Sequence, residues 1–177
     1  MSLSSDATLE EKITELQKIL REPHLIPSLS QGSRIVLLTV EPKKEKVAMD
    51  RIEQLYEGRF SKVNVAKVLV EAADDYGLAQ LREDMEFFGE SFVEEFSQKL
   101  QQRIITEILR ASEEGEFVVV HRLGILNGLL RLNPIIEPLV TRLKKPVVVI
   151  YPGTRRDEEL CFLDSRHTAS VYRTAKI

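Results

Sequence analysis

The sequence predicts an α/β protein: a single-domain, three-layer sandwich with a mainly parallel central sheet of about five to six strands. Three observations carry this. Short β-branched runs that are apolar on both faces recur along the chain, as buried parallel strands require. Between them lie longer segments with apolar residues at three- and four-residue spacing, the signature of helices packed on a sheet. The 177 residues are also close to the ordinary size of one domain.

Leu9, Ile13, Leu16, Ile19 and Leu20 define an amphipathic helix that starts at Ser5 or Asp6 and stops before Pro23. Residues 22–33 hold two prolines, three serines and Gly32 and read as an irregular connection. Residues 1–33 are therefore an N-terminal helix and connector, and 34–177 the α/β domain, in one globular unit. Arg34–Val40 is a central strand ended by Pro42, and Glu45–Tyr56 a helix with Val47, Ile52 and Leu55 on one face. After Gly58, Lys62–Val70 alternates and then becomes apolar, which reads as a second strand near an edge. Leu78–Leu109 forms a long helical region, interrupted at most at Gly89, whose face from Phe87 and Phe88 to Leu109 suits a sheet. Gly115 and its glutamates end that helix, Phe117–Val120 is a third strand, and Leu123–Leu143 is a loop and a helix bent or divided by Pro134 and Pro138. Pro146–Tyr151 is a strand terminated by Pro152-Gly153, with Gly153 at positive φ or in a tight turn. Leu160–Leu163 and Ser170–Ala175 read as closing strands.

The chemistry is marked first by what is missing. The topology is P-loop-like, but no Gly-x-x-x-x-Gly-Lys-Ser/Thr phosphate loop follows any strand, and neither a Gly-x-Gly-x-x-Gly fingerprint nor a Gly-x-Ser-x-Gly elbow is present. A net charge of -3 argues against dedicated nucleic-acid binding. One cysteine, Cys161, can make neither an internal disulfide nor a cysteine-based zinc site, and nothing at the N-terminus resembles a signal peptide, so a cytoplasmic location is expected. His24, His121 and His167 stand far apart, the acids Asp74, Asp75, Glu83 and Asp84 read as a solvated helix surface, and no metal or other cofactor is expected. What remains is the rim at the carboxyl ends of the strands, where ligands of open α/β sheets gather. His121 and Arg122 follow one strand, Arg155 and Arg156 another, and these guanidinium groups suit a carboxylate or phosphate. Tyr172-Arg173 near the C-terminus combines two residue types enriched at interface hot spots.

Several of these segments occur in a familiar order. A strand leads through a loop into Ile125-Leu126-Asn127-Gly128-Leu129; then come Pro146-Val147-Val148-Val149-Ile150-Tyr151-Pro152-Gly153, Leu160-Cys161-Phe162-Leu163 and a terminal Tyr172-Arg173. This order resembles the BrxB family of BREX phage-defence systems, and Val40-Glu41-Pro42 before the helix from Glu45 agrees with it. The loop at His121-Arg122-Leu123-Gly124 is shorter than the Gly-rich, aromatic-Pro and Arg-Ser/Thr-His stretch common in that family, so Arg122 and Asn127 are the polar positions that carry over. The resemblance implies a small component with no catalytic activity of its own, contacting a PglZ-like protein and other BREX components, and nucleic acid only indirectly. Read from its residues, the chain also fits a degenerate nucleotide- or phosphate-binding α/β domain with an enzymatic or regulatory role. Convergence of His121, Arg122, Arg155 and Arg173 on one deep pocket would favour that alternative.

Overall fold

The computed structural model describes residues 7–156, 159–163, 168–169 and 171–177. Its strands are β1 (Ile35–Val40), β2 (Phe60–Asn64), β3 (Phe117–His121), β4 (Val147–Arg156), β5 (Glu159–Phe162), β6 (Thr168–Ala169) and β7 (Ala175–Lys176). Five of them lie in the order β2-β3-β4-β1-β7 with every neighbouring pair parallel. The other two continue the sheet as antiparallel strands, β5 on the second half of β4 and β6 on β5.

The helices are α1 (Leu9–Arg21), α2 (Ile26–Leu29), α3 (Glu45–Tyr56), α4 (Val65–Tyr76), α5 (Leu78–Phe88), α6 (Glu90–Glu114) and α7 (Asn133–Val140). From β1 the chain crosses under the sheet through α3 to the far edge at β2, then steps back through β3 to β4. Right-handed crossovers in opposite directions place their helices on opposite faces. Alternate strand residues divide accordingly. Val36, Leu38, Val119, Val148 and Ile150 pack with Ile13, Leu16, Ile26 and Ile52 from α1, α2 and α3. Ile35, Leu37, Val118, Val120 and Val149 pack with Val68, Leu100, Ile104, Ile108 and Ile136 from α4, α6 and α7. Strands buried on both faces explain the unbroken aliphatic runs.

Several elements differ from the sequence expectation, each for a local reason. The first helix starts at Leu9, because Thr8 and Glu11 form a reciprocal capping box, with the Thr8 N–H donating to Glu11 at 2.7 Å and the Glu11 N–H to Thr8 at 3.3 Å. Ser5 and Asp6 lie outside the described residues. The strand expected at Lys62–Val70 ends at Asn64, whose side chain accepts the Lys67 N–H at 3.1 Å and starts α4. Val65 and Val68 then sit at helical spacing in the core, and burial overrides their β preference. The long helical region does part at Gly89 (φ 56), the break its sequence allowed, but Phe87 and Phe88 are exposed, and it is Leu100, Ile104, Ile105 and Ile108 that reach the sheet. On α3, Val47 faces solvent, and Ala48, Met49, Ile52 and Tyr56 are buried. The second closing strand, expected at Ser170–Ala175, is not formed over residues 171–174: of that range only Ala175 is in a strand, β7, while β6 precedes it and Ser170 lies outside the described residues.

The largest correction concerns Pro152-Gly153. It does not end β4, which continues through it to Arg156 and turns back as β5. Gly153 does not adopt a left-handed φ either. Its need for glycine is steric: a Cβ at this position would overlap the Cys161 carbonyl oxygen of β5 and lie 3.0 Å from the Cys161 carbonyl carbon.

Candidate functional site

The rim begins where β3 ends. His121, paired in register with Asn64 of β2, is half-buried. Burial holds its imidazole below its ordinary pKa, the nearby cations Arg122 and Lys62 push the same way, and Glu53 opposes them. Arg122 takes a left-handed conformation, φ 65 and ψ 33, before the 3-10 turn Leu123–Leu126. Its N–H donates to the Glu45 Oε1 at 2.5 Å. Glu45, the first residue of α3, is buried, so a carboxylate on one side of the sheet ties down the chain leaving a strand two positions from β1. The Arg122 side chain is exposed.

Beyond that turn lies a groove of about 830 Å³ lined by, among others, Leu126, Asn127, Tyr151, Phe162, Val171 and Tyr172. Its floor is aromatic: the Tyr151 and Phe162 rings meet edge to face at 5.3 Å. Burial pushes the Tyr151 hydroxyl up to about 12, so it is protonated, and neutral, at any physiological pH. Tyr172 is 62% exposed at the lip. Its N–H donates to Asn133 Oδ1 at 3.3 Å, which anchors the C-terminal segment to the start of α7. Arg173 also has a left-handed φ, 52, and its carbonyl accepts the Ser33 hydroxyl at 2.5 Å. Its guanidinium is exposed and only 3.9 Å from the Glu137 carboxylate.

The expected site residues therefore separate into groups. Asn127 and Tyr172 share the groove. His121 and Arg122 stand at the end of β3, and Arg173 lies on the outer side by α7, so these three do not line that groove. Arg155 and Arg156 belong to the β4–β5 hairpin, opposite Leu160 and Glu159. Pro152 and Gly153 are at the base of that hairpin. His167 lies outside the described residues. Two of the four acids of α4 and α5 have local partners: Asp75 pairs with Arg103 at 2.6 Å, and Asp84 accepts from Tyr76 and Gln80.

Sequence reasoning missed a polar cavity of about 370 Å³ at the carboxyl ends of β1 and β4, where the direction of the crossovers reverses. Lys12, Thr39, Lys44, Glu41 and Thr154 line it. Its cations are matched by protein oxygens: the Lys12 ammonium donates to the Thr39 carbonyl at 2.9 Å and hydroxyl at 2.6 Å, and Lys44 to Glu41 at 2.6 Å. Lys12 sits among polar residues of an amphipathic helix, and no pattern in the sequence marks it as buried. The same holds for Glu45 and Ser33, which clamp Arg122 and Arg173.

A family model described as BREX protein BrxB matches residues 58–177. The chain belongs to the BrxB family. The match takes in the strands from β2 to β7 and every expected site residue, and BrxB membership makes the protein a component of a BREX phage-defence system. No curated protein and no solved structure matches it. Among the described residues, no helix of this BrxB-family chain is long and apolar enough to cross a membrane.

Proposed function

We propose that the protein is a non-catalytic, cytoplasmic interaction component of a BREX complex, and that it contacts a PglZ-like partner through Arg122, Asn127, Tyr172 and Arg173. The observation that carries this reading is the backbone of the two arginines. A residue with a Cβ in the left-handed region costs about 1–2 kcal/mol, which glycine would avoid. Both positions instead hold long side chains that do almost nothing for the fold: Arg122 is exposed, and the one ion pair of Arg173 among the described residues is 3.9 Å long and open to solvent. Buried groups, Glu45 and Ser33, hold each backbone in place. Strain kept where the strained side chain faces outward points to a binding role. The polar cavity favours no phosphate ligand, since its lysines already have oxygen partners and Glu41 adds a negative charge.

Arg122→Ala and Arg173→Ala retain a Cβ, so they keep the backbone strain and remove only the guanidinium groups. Folding stability should change by about 0–1 kcal/mol, the value of an exposed ion pair. Affinity for the co-encoded PglZ-like protein should fall by about 2 kcal/mol or more, roughly 30-fold, as for an interface anchor. Unchanged affinity in the folded double variant removes this contact.

A further inference from the structure

The α5 helix buries none of its side chains. Leu78, Leu81, Met85 and Phe88 fall at three- and four-residue spacing and so share one side of it. Leu81 is half-buried, whereas Leu78, Met85 and Phe88 are 64%, 47% and 56% exposed, and adjacent Phe87 is 82% exposed. Gly77 (φ 93) and Gly89 (φ 56) bound the helix at sharp breaks from α4 and α6. The projection is nevertheless fixed in place. The Tyr76 hydroxyl at the end of α4 donates to Asp84 at 2.5 Å, and its ring packs on Phe92 and Phe96 of α6 at 5.4 and 6.4 Å. A rigid helix thus presents an apolar stripe that nothing in this chain covers among the described residues. Scattered exposed hydrophobes are ordinary, but a contiguous patch rimmed by charge marks an interaction surface.

The rim identifies the occupant. Between Leu78 and Gln98 the acids Glu83, Asp84, Glu86, Glu90, Glu94 and Glu95 are set against one basic residue, Arg82. Arg82 pairs with Glu86 and Lys99 with Glu95, which leaves Glu83, Glu90 and Glu94 without an ion pair among the described residues. Phe87 and Phe88 share a shallow depression of about 500 Å³ with Glu83, Asp84 and Glu86. Two copies of this tip would repel each other, as would nucleic acid or an anionic bilayer. A helix with an apolar face and lysines or arginines beside it meets both features at once.

We propose that the end of α5 and the start of α6 dock a basic amphipathic helix of a partner protein, its apolar face on the adjoining rings of Phe87 and Phe88 and its cations on Glu83, Glu90 and Glu94. This surface is independent of the contact through Arg122 and Arg173.

The test uses the full chain and a fluorescent helical peptide with leucines at heptad spacing and lysines beside them. A second peptide carries glutamates in place of the lysines, and vesicles of zwitterionic and of anionic lipid serve as further probes. The lysine peptide should bind with an affinity that falls with salt, and the other probes should not bind. Phe87→Ala with Phe88→Ala should weaken that binding at least tenfold while leaving the melting curve in place, since both side chains are exposed. Glu83→Lys with Glu94→Lys should exchange the preference, losing the lysine peptide and gaining the glutamate peptide. Equal binding of the lysine peptide by wild type and both variants overturns the proposal. Binding of vesicles, or self-association, that disappears with the phenylalanine variant also overturns it and reassigns the patch.

Discussion

Gly153→Ala tests the β4–β5 hairpin directly. In the ladder Gly153 faces Phe162 and Thr154 faces Cys161. An added Cβ would collide with the Cys161 carbonyl oxygen and come within 3.1 Å of the Tyr151 ring. The obstacle is the backbone carbonyl of Cys161, a strand residue only 1% exposed, so it cannot swing aside as a flexible side chain would. Overpacking a tight interior costs about 1–3 kcal/mol, and a backbone obstacle belongs at the upper end. Alanine also restricts the unfolded chain, which returns about 0.4–1 kcal/mol. The net loss is about 2 kcal/mol, and at about 2–4 °C per kcal/mol for a chain of this size the melting temperature should fall by about 4–8 °C. Calorimetry or thermal circular dichroism reads this. Gly124→Ala is the control, because its Cβ would meet only Leu163 Cδ2 at 3.5 Å, an ordinary contact. A Gly153→Ala protein that melts within about 1 °C of wild type would refute the steric argument.

Two further outcomes follow from the rim. Glu45→Ala strips the acceptor from the Arg122 N–H and should cost about 1–3 kcal/mol in urea unfolding, with Glu45→Gln, which keeps an oxygen, costing less; equal midpoints for wild type and Glu45→Ala would show that the clamp contributes nothing. His121 has a folded pKa below its ordinary 6.5, so the unfolded chain takes up the proton first as pH falls. Stability should therefore be unaffected by this group above that value and decline as pH drops from it toward the lower folded pKa. His121→Gln should flatten that part of the curve, and parallel wild-type and variant profiles between pH about 7 and 5 would contradict the assignment.

The strands were legible because burial on two faces leaves an unmistakable composition. Ile35–Val40, Phe117–Val120 and Val147–Tyr151 contain almost nothing a solvent-facing strand would tolerate, and the structure places them at the centre of the sheet. The edge was harder. In Lys62–Val70 the same valines suit a strand or one side of a helix, and the decision fell to the Asn64 cap and to packing on α6. The site was legible only in part. Residues just after a strand lie at the carboxyl rim by construction, which located His121 and Arg122, but which rim positions converge depends on where the crossovers and the C-terminal segment run. Asn127 and Tyr172 meet because Tyr172 is pinned to Asn133.

By itself the sequence determined the α/β class, the parallel central strands, the lack of the familiar phosphate and nucleophile motifs, and the ordered short motifs that mark the BrxB family. The class and the strands are properties of local periodicity and composition, whereas the family mark is a resemblance carried by the order of short motifs. The tertiary structure alone decided that Pro152-Gly153 continues a strand, that Glu45 and Ser33 hold two arginines in left-handed backbone, and that α5 is left uncovered among the described residues. The first two turn on contacts that local pattern does not encode: Gly153 against Cys161 across the hairpin, and Glu45 against Arg122 and Ser33 against Arg173 from far apart in the sequence. A hydrophobic pattern says which side of an element seeks burial, and only the packed chain shows whether anything is there to bury it.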